Sequence, residues 1–256
     1  MSNRIDQLFA GKKTGVLNIY CTAGFPALND TLPVMKALQQ HGADIIELGM
    51  PFSDPLADGP VIQDSSTRAI SNGMSLRVLF EQLKEFRQQI HVPVLLMGYL
   101  NPVLLYGIEN FCKKCAEVGV DGVILPDLPM DEYESEYKTV FEQYGLHLVF
   151  LVTPETSEAR IRKIDSLSKG FIYAVSSSST TGTDKDMSHQ QAYFERLKAL
   201  ELKNPVLIGF GIKDKATFDA ASAHSNGGVI GTAFIRAIEN ATDLDATIKE
   251  FIAGVK

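Results

Sequence analysis

The chain has 256 residues, 45% of them apolar and 21% charged, with a formal net charge of −7. That length suits one α/β barrel or two smaller domains, and the apolar share suits a large buried core. An acidic balance with no basic patch among aromatics argues against a nucleic-acid partner, yet a few backbone N–H groups can still hold one phosphate.

Taken in chain order, short apolar runs alternate with longer segments of helical periodicity. A short helix over 5–10 precedes the first strand, Val16–Thr22. A helix over 30–40 follows, then strands over 44–48 and 92–97 with a helix over 76–89 between them. Strands over 121–125, 146–152, 170–175, 205–209 and 228–230 complete a set of eight. Helices over 131–144, 158–167, 190–200 and 215–223 separate them, and a last helix runs from about 233 to 251.

Near-continuous apolar strands are what a parallel sheet covered on both faces requires. Eight βα units joined by right-handed crossovers close into a barrel, so the expected fold is a single (β/α)₈ TIM-barrel domain over 1–256 with a short N-terminal helix. A doubly wound sheet would typically carry a Gly-rich dinucleotide turn, and Thr22-Ala-Gly-Phe-Pro26 is not one. No linker or low-complexity tract divides the chain.

Two connections exceed simple turns, from Gly49 to about Gln63 and from Ser176 to about His189. Both leave the C-terminal ends of strands, where barrels carry their chemistry.

No apolar stretch reaches the roughly 20 residues of a membrane helix. Met1-Ser-Asn-Arg-Ile-Asp6 has no apolar run after its arginine, unlike a secretory signal. Cys21, Cys112 and Cys115 make an odd count, so the expected compartment is a reducing cytoplasm. Cys112-Lys-Lys-Cys115 has redox or metal spacing, but no second pair accompanies it; it reads as two ordinary thiols. The five histidines are scattered, and no metal site is expected.

Glu47 lies within the aliphatic strand Asp44-Ile-Ile-Glu-Leu48. A carboxylate buried there resists ionisation and can serve as general acid or base; the competing role is an ion pair across the barrel. Asp54 and Asp58 follow in a Pro-, Ser- and Gly-rich loop, where an aspartate is more often a turn or cap residue. With Glu47 they supply two carboxyl environments, one apolar and one wetter, able to divide acid and base roles.

Ile46-Glu-Leu-Gly-Met-Pro-Phe-Ser-Asp-Pro-Leu-Ala-Asp-Gly59 resembles the signature of the tryptophan synthase alpha chain family. Asp64 to Gly73, Met97-Gly-Tyr-Leu-Asn-Pro102, Pro126-Asp-Leu-Pro129, Gly209-Phe-Gly-Ile212 and Ile230-Gly-Thr232 follow in the family's order, so the resemblance covers essentially the whole chain.

The resemblance implies retro-aldol cleavage of indole-3-glycerol phosphate to indole and glyceraldehyde 3-phosphate, a step of tryptophan biosynthesis. Glu47 matches the acid/base that protonates the indole carbon bearing the glycerol chain. Asp58 matches the carboxylate that holds the indole N–H. Tyr173 matches a tyrosine placed against the acid/base and substrate, although a buried aromatic capping the barrel would look the same. Thr181, Gly182, Phe210, Gly211, Gly231 and Thr232 match substrate positions, the glycines and Thr232 suiting a phosphate at the ends of strands seven and eight.

Where the family commonly has Gly-Val-Thr-Gly, the chain reads Ser179-Thr-Thr-Gly182, which implies altered backbone freedom in that loop. The resemblance also implies a partner, a tryptophan synthase beta subunit carrying pyridoxal phosphate, in an alpha2-beta2 heterotetramer. Pro51, Asp54, Asn101 and Pro129 match positions facing it, and the alpha chain itself needs no cofactor.

Three other readings stay open on sequence alone. Another sugar-phosphate isomerase or aldolase would share the barrel, although a covalent aldolase needs a strand-end lysine and no predicted strand contains one. A regulatory barrel that binds without turnover and a free-standing lyase are the others.

Overall fold

The computed structural model describes residues 3–175, 187–209 and 211–256, the side chains of 187–191 excepted. Nine parallel strands form one sheet: β1 (Val16–Thr22), β2 (Ile45–Gly49), β3 (Val94–Met97), β4 (Gly122–Ile124), β5 (His147–Val149), β6 (Leu151–Val152), β7 (Ile172–Val175), β8 (Val206–Gly209) and β9 (Gly227–Ile230). Their order, β5-β4-β3-β2-β1-β9-β8-β7-β6, places β5 and β6 at opposite ends.

Only Phe150 separates β5 from β6, and its carbonyl accepts from the Tyr173 N–H at 3.0 Å. The run predicted as one fifth strand therefore pairs with β4 through its first half and with β7 through its second. This divided strand brings the ring round, giving the expected barrel from eight chain segments.

Residues alternate across each strand. Val16, Ile45, Leu95, Ile124, Val149, Tyr173, Leu207 and Val229 pack together inside the barrel with Ile5 and Phe9. The last two lie on α1 (Arg4–Gly11), which starts where the Asn3 side chain accepts the Ile5 N–H at 2.9 Å and plugs the N-terminal end. The opposite strand faces, with Leu17, Ile19, Ile46, Leu48 and Leu96 among them, join the larger layer under the outer helices.

Several predicted helices match closely, among them α2 (Thr31–His41), α9 (Glu158–Leu167), α10 (Met187–Ala199) and α11 (Lys215–His224). Others are shorter than periodicity suggests. The helix expected over 76–89 ends as α4 (Leu76–Gln82), followed by a 3₁₀ turn at Phe86–Gln88. There Arg87 donates to the carbonyls of Gly119, Ile90 and Val92 and pairs with Asp121, fixing this turn against β3 and β4.

The helix expected over 131–144 begins at Met130 as α7 (Met130–Glu132), passes through a π turn at Tyr133–Tyr137 and ends as α8 (Lys138–Gln143). The expected last helix is two, α12 (Thr232–Ile238) and α13 (Leu244–Val255), because Asp243 caps a new start by accepting the Ala246 N–H. The connection predicted to reach Gln63 stops at Gly59, since Pro60 opens α3 (Pro60–Ser71) with its ring at the first turn. Short helices α5 (Leu100–Tyr106) and α6 (Ile108–Val118) fill the span between β3 and β4.

Cys112 and Cys115 lie on the buried face of α6 as free thiols, with burial pushing that of Cys112 up to about 12. No helix among the described residues is long and apolar enough to cross a membrane.

Candidate active site

β1 and β2 pair with Tyr20 opposite Glu47. Two-residue alternation puts Asn18, Tyr20 and Glu47 on the same inward face as Val16 and Ile45. Glu47 is fully buried. Its Oε1 accepts from Asn18 Nδ2 at 2.5 Å, while Oε2 has no hydrogen-bond partner among the described residues. Burial pushes the carboxyl up to about 8, and the Asn18 amide pulls weakly the other way. The ion pair that a buried glutamate ordinarily needs is absent among the described residues, so Glu47 is predominantly a neutral acid at neutral pH.

Asp58 stands in the loop after β2, at the mouth of the barrel. Its N–H donates to the Pro55 carbonyl at 3.0 Å, and Gln63 Nε2 donates to its carbonyl at 2.9 Å. The Tyr99 hydroxyl, from the turn before α5, donates to Asp58 Oδ2 at 2.8 Å. Tyr99 in turn accepts the Ala57 N–H at 2.9 Å, and its ring meets Phe52 at 5.4 Å. Asp58 is half-buried: desolvation raises its carboxyl, and the Tyr99 hydrogen bond opposes that rise. The wetter of the two carboxyl environments is thus drier than loop composition suggests, but remains the more exposed one.

A narrow recess at the strand ends is lined by Tyr20, Met50, Asp58, Met97, Tyr99 and Pro126. Two aromatics reach this level because glycine stands beside each. A Cβ at Gly49 would fall inside the Tyr20 phenol, and one at Gly209 inside the Tyr173 phenol. Tyr173 is buried on β7, and burial holds its hydroxyl well above the usual range, helped by the negative charges of Glu47 and Asp58. Tyr173 therefore feels both the strand carboxyl Glu47 and the loop carboxyl Asp58.

Gly231 follows β9 and caps α12 with no side-chain hydrogen bond, and Thr232 opens that helix on the exposed surface. Gly211, after β8, has φ of 78°, the left-handed region that favours glycine. Thr181, Gly182 and Phe210 lie outside the described residues, as does the departure at Ser179 and Thr180. Pro51 and Asp54 occupy the loop after β2, Asn101 the first turn of α5, and Pro129 the turn before α7, all at the C-terminal rim. Leu56 and Leu105 stand on the same rim, 89% and 82% exposed.

Asn18, Tyr20 and Tyr99 were not singled out from sequence. Asn18 did carry a signal: it is the one amide in the strand Val16-Leu-Asn-Ile-Tyr-Cys-Thr22, at inward parity. Tyr99 lies inside the motif Met97-Gly-Tyr-Leu-Asn-Pro102, but its hydrogen bond to Asp58 depends on tertiary contact.

A family model described as tryptophan synthase alpha chain matches residues 7–255. The tryptophan synthase alpha chain of Parabacteroides distasonis is 53% identical over 249 residues, covering 96% of this chain and 97% of that one. That of Flavobacterium johnsoniae is 51% identical over 255 residues, covering 99% and 100%. Among solved structures, the tryptophan synthase alpha chain from Legionella pneumophila superposes with a TM-score of 0.89 at 32% identity, covering 100% of this chain and 96% of that one. A chain of the tryptophan synthase complex from Pyrococcus furiosus does so with a TM-score of 0.86 at 34% identity, covering 95% and 98%.

Proposed function

The chain belongs to the tryptophan synthase alpha chain family, whose reaction is the cleavage of indole-3-glycerol phosphate, and on that premise we propose that Glu47 and Asp58 perform it. The observation that carries this reading is the contrast between two neighbouring carboxyls. One is wholly buried and raised to about 8, and the other is half-buried and held by a phenol.

Glu47 delivers its proton to the indole carbon that bears the glycerol chain, leaving an indolenine cation. Asp58 accepts the indole N–H and stabilises that charge. The Glu47 carboxylate then takes the proton of the side-chain hydroxyl, the C–C bond breaks, and its electron pair returns to the ring. An aldehyde forms, giving indole and glyceraldehyde 3-phosphate with Glu47 reprotonated. Tyr173 packs against the acid and substrate. Thr181, Gly182, Phe210, Gly211, Gly231 and Thr232 hold the substrate, and the Gly231–Thr232 turn suits the phosphate because its first-turn N–H groups have no intrahelical acceptors.

The chain acts as one barrel domain over 1–256 and needs no cofactor of its own. Its partner is a tryptophan synthase beta subunit, in an alpha2-beta2 assembly, with pyridoxal phosphate on the beta side. Pro51, Asp54, Asn101 and Pro129 meet that partner. The rim position of all four supports this, as does the exposure of Leu56 and Leu105 beside them. Three buried free cysteines suit a reducing cytoplasm.

Cleavage by Glu47→Gln and Asp58→Asn, with indole release as readout, tests the assignment. Loss of about 100-fold or more in each supports it; full activity in either overturns that residue's role.

A further inference from the structure

Among the described residues, Glu47 and Asn18 are fully buried polar side chains at the centre of the barrel, and each leaves one oxygen without a partner there. Glu47 Oε1 takes the Asn18 amide at 2.5 Å, whereas Glu47 Oε2 and Asn18 Oδ1 have no hydrogen-bond partner among the described residues. A neutral carboxyl has one O–H and one carbonyl oxygen, and an oxygen already facing an N–H donor is disfavoured as the site of the proton.

We propose that Asn18 is a positioning residue for the cleavage reaction, engaging Glu47 Oε1 so that the acidic proton resides on Oε2 and is delivered from there. The proposal rests on the reading of Glu47 as the acid/base.

Three steps follow from the geometry. Before reaction, the amide fixes the carboxyl plane and the protonated oxygen together, so the acid does not need to rotate to present its proton. After Oε2 gives up that proton, the new carboxylate is enclosed in the barrel with no cation bonded to it among the described residues. The Asn18 N–H is then the donor already in place on its other oxygen, and a hydrogen bond to a charged group is stronger than one to a neutral group. When Oε2 recovers a proton from the side-chain hydroxyl, the same bond survives and the starting arrangement is restored. Asn18 itself exchanges no proton.

The orientation of the amide gives the proposal its sign. As a donor, Asn18 favours the carboxylate, so its removal raises the Glu47 pKa. Were the amide turned to accept a proton from Oε1, it would favour the neutral acid, and its removal would lower that pKa.

The test uses the full chain with ¹³C-carboxyl glutamate, comparing wild type with Asn18→Leu and Asn18→Ser; Glu47→Gln identifies the Glu47 signal. In Asn18→Leu the Glu47 titration midpoint should rise by about one unit. The kcat for indole release should fall roughly 10- to 100-fold, with KM changed less than about twofold. Asn18→Ser, which adds no volume, should shift the midpoint in the same direction, and it carries the test if Asn18→Leu does not fold. An unchanged or lowered midpoint, or a rise in KM with kcat preserved, overturns the proposal. If Glu47→Gln instead cleaves normally, the acid/base reading fails, while the carboxyl midpoint still decides whether Asn18 holds Glu47.

Discussion

The Tyr99 hydroxyl donates to Asp58 Oδ2 at 2.8 Å while accepting the Ala57 N–H at 2.9 Å, so one phenol ties the loop after β2 to the turn before α5. Tyr99→Phe keeps the ring on Phe52 and removes both bonds. It should lower kcat/KM for cleavage by about 10-fold, the equivalent of one charge-assisted hydrogen bond. The Asp58 carboxyl should also move upward, because Tyr99 is the group that pulls it down. Steady-state kinetics on Tyr99→Phe check this, and unchanged kcat/KM would show that the loop holds Asp58 unaided.

Burial of Glu47 makes stability depend on pH. Its folded value of about 8 lies above the ordinary 4.5, so the fold favours the protonated form. That contribution is fully present below about pH 4.5 and is lost as pH rises through about 8. Glu47→Gln cannot ionise and escapes the loss. Denaturant unfolding at pH 5 and pH 8.5 should show wild type weakening relative to Glu47→Gln by several kcal/mol at most. A constant difference between the two proteins would mean that Glu47 ionises normally in the fold.

Gly209 is required by the Tyr173 ring, which occupies the space of its missing Cβ. Gly209→Ala should destabilise by about 1–3 kcal/mol and displace the phenol, lowering cleavage as well. Gly254→Ala is the control, since nothing lies within 4 Å of its added methyl group; inside α13 that change should be neutral or stabilising. Thermal unfolding of the two variants separates a packing requirement at Gly209 from a general effect of alanine.

On the proposal that Thr232 binds the phosphate, Thr232→Ala should raise KM by roughly 10-fold with little change in kcat, the loss of one hydroxyl hydrogen bond from binding. An unchanged KM would assign the phosphate to backbone N–H groups alone.

The barrel was legible because eight apolar runs alternate with helical periods, and the burial of Glu47 could be read from its aliphatic neighbours. The Glu47-to-Gly59 signature then pointed to chemistry that periodicity could not supply. What escaped the sequence depends on tertiary contact. The fifth strand divides at Phe150 because its halves bond to different neighbours. The helix over 76–89 stops at Gln82, and beyond it Arg87, in a separate 3₁₀ turn, finds three carbonyls and Asp121. Asn18 was visible as a polar residue in an apolar strand, yet its hydrogen bond to Glu47 emerged only from the pairing of β1 with β2. The dryness of Asp58 was hidden because a Pro- and Gly-rich loop reads as solvated until Tyr99 is seen to cover it.

Indole release from indole-3-glycerol phosphate by the purified chain, measured with and without an added tryptophan synthase beta subunit, tests the central claim most directly. Slow release that accelerates when the beta subunit is added is the predicted result, that of a catalytic barrel completed by its partner. No release in either condition would contradict the account, leaving a barrel that binds without turning over.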